Sequence, residues 1–149
     1  MYKSVLVPLD GSIRAEGILP HVESIAIPNQ AKVYLVRVEE PPLLLGIDEV
    51  IDPEKNRQEF ERKKKDAQAY LDEKKGQLEK KGMKVETRLA FGQVVKSILD
   101  IAEEVHADLV ALASHGFSGS QRMFYGSVAA GILHRIDRPL LMIRTRKNP

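Results

Sequence analysis

The chain has 149 residues, 43% hydrophobic and 30% charged, with a formal net charge of +2. That length suits a single domain over residues 1–149 with a sizeable core, and so balanced a charge excludes the dense basic field of a nucleic-acid binder. With no cysteine, disulfides, thiol nucleophiles and thiolate zinc sites are excluded too. The apolar run at the N-terminus is too short for a signal peptide, and no stretch approaches the roughly 20 apolar residues of a membrane span. A cytoplasmic protein with no membrane partner is expected.

Val5-Leu6-Val7-Pro8-Leu9 is a continuous apolar run, the pattern of a strand buried on both faces. Asp10-Gly11-Ser12 follows as a tight turn whose Ser12 is suited to capping a helix. Ile18, Val22, Ile25 and Ala26 share one face of that helix, which is predicted to end near Ile27-Pro28 and to be bent by Pro20 inside it. Lys32 to Val38 reads as a second strand, and Val38-Glu39-Glu40 as its closing turn. Residues 39–53 are a Pro-containing flexible loop, either a lid or a plain connection, with Leu43-Leu44-Leu45 as a candidate docking patch. A long charged helix over 53–82 carries Phe60, Ala67, Leu71 and Leu78 as its apolar stripe, and Gly82 ends it. Its lysines alternate with acids, so they read as a solvated face.

Lys84 to Ala90 is a third strand, Gly92 a turn, and Val94, Val95, Ile98, Ala102 and Val105 a helical stripe. Leu109 to Ala113 is a fourth strand. A helix follows from Val128 with Ala129, Ile132, Leu133 and Ile136 on one face, and Leu140-Leu141-Met142-Ile143 is a fifth strand. Strands alternating with helices predict an α/β domain, a parallel sheet with helices on both faces.

Such sheets bind ligands beyond the carboxyl ends of their strands, where the strand order reverses. The most informative stretch is Ala113-Ser114-His115-Gly116, nine residues, then Gly126-Ser127, between a strand end and a helix start. Backbone N–H groups and the positive end of a helix hold phosphate in that setting. Gly116 and Gly126 would offer N–H groups and Ser127 its hydroxyl; a plain loop with a Ser-capped helix is the other reading. Ser118, Ser120 and Arg122 either add phosphate contacts or line a solvated loop. The four histidines have no metal-ligand spacing. Ser114-His115 does not read as a nucleophile–base pair, since chain neighbours do not usually form one and no nucleophile elbow is present. No catalytic residue is expected. A P-loop and a Rossmann fingerprint are both absent.

At these residues the chain resembles the universal stress protein family. Val5 to Ser12 with Ala15-Glu16 and Leu19-Pro20-His21 resemble its first strand and helix, and Val33 to Val38 its second strand. Asp108 to Leu112 with Ser114-His115-Gly116, then Gly126-Ser127-Val128 and Arg138-Pro139-Leu140-Leu141, complete the likeness. It runs the whole length and is weakest over about 41–81. It implies an open sheet of five strands ordered 3-2-1-4-5, a homodimer, and ATP or AMP as ligand, with or without Mg²⁺. The family's nucleotide motif is Gly, two residues, Gly, nine residues, Gly, Ser or Thr; here Gly116, Gly126 and Ser127 match and Ala113 replaces the first Gly. A methyl there obstructs the ligand, or strains the backbone if φ is positive.

By the same resemblance, the Asp10 carboxylate takes the ribose hydroxyls, although an Asx turn is its other use. Pro8 and Leu9 lie near the base, and Val38 presents backbone groups to the adenine edge. Leu112, Ala113, Ser114, His115 and Val128 complete the cofactor-binding set, with His115 shaping the loop. The apolar strand 140–143, an aggregation hazard as a bare edge, would pair with its copy in a second subunit. The function implied is a dimeric stress-response regulator, with slow or no ATP hydrolysis and an unidentified protein partner. A nucleotide-free dimeric interaction module stays open, on Ala113 together with Leu43-Leu44-Leu45 as an exposed docking patch. A phosphoacceptor domain is a third class, and Leu89-Ala90-Phe91-Gly92 lacks its acceptor Asp.

Overall fold

The computed structural model describes residues 1–40, 53–115 and 126–145. Strands β1 (Ser4–Pro8), β2 (Lys32–Glu39), β3 (Lys84–Phe91), β4 (Leu109–Ala113) and β5 (Leu140–Ile143) form one parallel sheet in the order β3-β2-β1-β4-β5. Helices α1 (Ile13–Glu16), α2 (Leu19–Asn29) and α3 (Pro53–Glu79) belong to one core, and α4 (Val94–Glu104) and α5 (Ser127–Arg135) to another. Val5, Val7, Val33, Leu35, Leu109 and Ala111 enter the first core with Val22 and Leu71. Leu6, Val36, Val110 and Leu112 enter the second with Ile98, Ala129 and Ile132. Successive residues of one strand thus serve opposite cores, which is why β1 and β4 are apolar without alternation. The architecture is the α/β sheet anticipated above.

Local details differ from expectation. The helix after β1 is two helices, broken at Gly17 and Ile18, so Pro20 stands in the first turn of α2. A proline there loses no helical hydrogen bond and causes no interior bend. Val38-Glu39 is not a turn, because β2 continues to Glu39, paired with Phe91 of β3. Leu133 is exposed, and Ile136 is the extended C-cap of α5. The 41–52 part of the loop, including Leu43-Leu44-Leu45, lies outside the described residues. Gly82 stands in the turn after α3 with φ +95°, the left-handed conformation that a helix C-terminus takes most easily at glycine.

Strand lengths create the site. β1 ends at Pro8, opposite Val36, while β2 runs on through Val38 with only β3 beside it. On the other side, β1 pairs β4 only at Val5↔Leu109 and Leu6↔Val110. A notch therefore opens above the carboxyl end of β1, at the point where the strand order reverses.

Candidate functional site

A cleft of about 150 Å³ occupies this notch, some ten times the space that one water requires. Its floor is apolar: Pro8 and Leu9 from the end of β1, Val36 and Val38 from β2, Val94 and Ile98 from α4. Asp10, Leu112, Ala113, Ser114, His115, Gly126, Ser127 and Val128 complete the wall, with Ala15 and Ala129 behind them. The cleft thus brings together every site residue read from the sequence except Gly116, which lies outside the described residues, as do Ser118, Ser120 and Arg122. Val36, Val94 and Ile98 were read from the sequence only as core positions. Their signal was parity: Val36 shares a strand face with Val38, and α4 begins directly after β3.

Three local structures shape the polar rim. The first is the turn after β1. Asp10 Oδ1 accepts from Ser12 N at 2.9 Å and from Ser12 Oγ at 2.6 Å, while Ser12 Oγ accepts from Ala15 N at 3.1 Å and caps α1. The Asx-turn role of Asp10 is thus realised, and it fixes the carboxylate at the mouth of the cleft. Gly11 supplies the φ of +91° that the turn needs.

The second is the free edge of β2. Leu9 N donates to Val36 O at 2.8 Å, so the backbone groups of Val36 face β1. In a parallel ladder, alternate residues address the same neighbour, and the N–H and C=O of Val38 therefore face the notch, above the last pairing of β1. Among the described residues no backbone partner meets them there. One residue offers the cleft a donor and an acceptor side by side.

The third is the start of α5. Gly126 is the N-cap, with no side-chain capping bond, and Ser127 is the first helical residue. The reading in which Ser127 caps the helix is therefore corrected: its exposed hydroxyl stands in the first turn. The first N–H groups of a helix have no intrahelical acceptor, and those of α5 lie at the cleft with the positive end of the helix dipole. Gly126 is required by proximity, not by φ, which is −70°. Its N donates to Ser114 O at 2.7 Å, and a Cβ on it would lie 3.2 Å from that same oxygen.

Ala113 takes no positive φ, so its backbone is unstrained. Strand alternation puts its methyl on the face shared with Leu109 and Ala111, away from α5. Ser114 Oγ and His115 Nδ1, both buried, meet at 3.0 Å. The bend leaving β4 turns both side chains inward, a contact that does not by itself make a nucleophile–base pair. Asp10 is the only carboxylate among the described lining residues, which include no lysine or arginine. Among the described residues no group of His, Asp and Glu is arranged to hold a metal ion, and no helix is long and apolar enough to cross a membrane.

A sequence model of the universal stress protein family matches residues 1–144. Universal stress protein MJ0577 of Methanocaldococcus jannaschii is 30% identical, over 99% of this chain and 98% of its own length. The structure of MJ0577 superposes with a TM-score of 0.86 at 28% identity, covering 100% of this chain and 99% of that one. An Arabidopsis thaliana family protein solved with AMP bound shares the fold, with a TM-score of 0.69 at 17% identity over 98% of this chain and 94% of its own. A universal stress protein in complex with cAMP does likewise, with a TM-score of 0.71 at 23% identity over 97% and 98% of the two chains. A whole-length match in sequence, repeated in the order of the strands, means that this chain belongs to the universal stress protein family.

Proposed function

We propose that the protein is a regulatory adenine-nucleotide receptor, taking AMP or ATP in the cleft above β1. The observation that carries this reading is the placing of the Val38 backbone edge across an apolar floor from the uncapped start of α5. One end suits a base and the other a phosphate. Adenine presents an acceptor at N1 and a donor at N6, which complements the N–H and C=O of a single residue. Guanine presents the reverse order. AMP and cAMP in two proteins of this fold support the reading. The Asp10 carboxylate, held by Ser12, is the group for the ribose hydroxyls. Where Mg²⁺ accompanies ATP, phosphate oxygens supply most of its ligands, since Asp10 is the one lining carboxylate among the described residues. Under this reading the nucleotide is a bound signal, hydrolysed slowly or not at all.

The test is selectivity. Titration of the protein with AMP and with GMP is expected to favour AMP by at least about tenfold, or about 1.4 kcal/mol. Equal affinity would remove the Val38 assignment. The nucleotide-free alternative draws on Ala113 and on Leu43-Leu44-Leu45; Ala113 no longer favours it, because it takes no positive φ and turns its methyl away from α5, and the leucines lie outside the described residues.

The same reading makes the protein a homodimer through β5. Ser114 N donates to Ile143 O, and Val110 N to Pro139 O, so the odd-numbered residues of this segment address β4. Leu140 and Met142 therefore turn their N–H and C=O groups outward, at the edge of the sheet. An apolar edge strand left bare invites pairing. Met142→Pro removes an outward N–H and leaves the β4 ladder intact; light scattering is expected to show a dimer for the native chain and a monomer for the variant. A native monomer would end this part of the proposal.

A further inference from the structure

The turn that holds Asp10 is gripped from the far side of the sheet. Arg37, on β2, points into the face that carries α3, opposite to Val38. Its Nε donates to Glu39 Oε1 at 2.8 Å, and its guanidinium lies 5.1 Å from the ring centroid of Tyr70 on α3. The same guanidinium supports Gly11: a Cβ on that glycine would meet Nη1 at 3.2 Å, Cζ at 3.5 Å and Nη2 at 3.6 Å. Gly11 is the residue beside Asp10, and at its φ of +91° it carries the chain through the turn that holds the carboxylate. Tyr70 is itself anchored. Its hydroxyl donates to Glu16 Oε2 at 2.7 Å, and Glu16 Oε1 takes Lys74 Nζ at 2.9 Å. Burial, and then the Glu16 carboxylate, push the Tyr70 phenol above its ordinary pKa of 10.0, which keeps the donor proton in place.

A planar guanidinium clamped by a carboxylate and stacked on an aromatic ring has little freedom left. A flat, fixed cation under a glycine acts as a floor for the turn. Glu16 closes the same turn from its other end, because it is the last residue of the helix that Ser12 caps. The long charged helix α3 is thereby joined to the mouth of the cleft through Tyr70, without lining it.

We propose that Arg37, stacked on Tyr70, is a positioning residue that holds the Asp10 carboxylate where a ribose can reach it. The inference rests on the nucleotide reading above and deepens it: recognition of the sugar depends on α3. The test compares AMP with its dideoxy analogue, which lacks both ribose hydroxyls, in the native chain, in Arg37→Met and in Tyr70→Leu. The native chain is expected to prefer AMP by about tenfold. Both variants are expected to weaken AMP binding and to leave the dideoxy analogue within about twofold of native, so the preference collapses.

A variant that weakens both ligands equally would mean that Arg37 supports the fold alone, and would overturn the inference. So would a variant that keeps the full preference. Native protein that binds AMP and its analogue equally would fail at a different point, the assignment of Asp10 to the ribose, and would take this inference with it. Native protein that binds neither would fail at the nucleotide reading itself. Unfolding midpoints of both variants, measured alongside, separate loss of positioning from loss of structure.

Discussion

Gly131→Ala is expected to destabilise the protein by about 1 kcal/mol, although alanine is the better helix former by about the same amount. The position lies inside α5, where it faces α4. A Cβ on Gly131 would stand 2.7 Å from Val95 Cγ2, 3.4 Å from Cγ1 and 3.5 Å from Cβ. Valine is stiff at χ1 and cannot swing its methyl aside, so the two helices must part. Overpacking of this kind costs about 1–3 kcal/mol, which outweighs the gain in propensity. Both helices wall the cleft, α4 with Val94 and Ile98 and α5 with Ser127, Val128 and Ala129, so the variant should also bind nucleotide less tightly. Chemical unfolding of Gly131→Ala, Val95→Ala and the double variant closes the cycle. The double variant is expected to recover most of the loss relative to the sum of the singles. Strict additivity would show that the clash is relieved elsewhere.

Gly126→Val is expected to weaken AMP binding by at least about a hundredfold, about 2.7 kcal/mol, in protein that still folds. Proximity again decides the outcome, but here the neighbour is backbone. The Cβ would come within 3.2 Å of Ser114 O and 3.7 Å of His115 Cα, neither of which can rotate away. The bond from Gly126 N to Ser114 O, which joins the start of α5 to the end of β4 at 2.7 Å, must lengthen or break. The N–H groups at the start of α5, to which the proposed function assigns the phosphates, then lose their aim. Gly126→Ala presents the same Cβ without the branches, so it should fall between native and valine. Calorimetric titration beside a thermal melt reads both quantities. A valine variant that melts as native and binds as native would place the phosphate elsewhere.

Much of this was legible before any coordinates. The apolar runs Val5-Leu6-Val7 and Leu109 to Leu112 marked strands buried on both faces, and they are the strands at which the order reverses. Asp10, Ala113 to His115 and Gly126 to Val128 were separated in the chain by up to a hundred or so residues, yet the rule for open α/β sheets put their loops at one edge. What was hidden depends on distances between elements. Pattern alone takes Pro20 for an interior kink; only the break at Gly17 and Ile18 makes it a first-turn residue. Pattern takes Val38 for the start of a turn, because nothing in the sequence says that β1 stops short of β2. Ala113 looked like an obstruction because the sign of φ and the side of the sheet are properties of the backbone. Nothing in the sequence marks Gly131, since Val95, which its missing side chain accommodates, lies in another element. The link from Arg37 through Tyr70 to Glu16 joins three elements by side-chain reach, and no periodicity records it.

The central claim is that an adenine nucleotide occupies the cleft, and calorimetric titration of ligand-stripped protein with ATP in magnesium buffer tests it most directly. The account predicts saturable micromolar binding at one site per chain, competed by AMP and not by GTP. No heat and no competition at millimolar ATP would contradict it and leave the notch above β1 without its ligand.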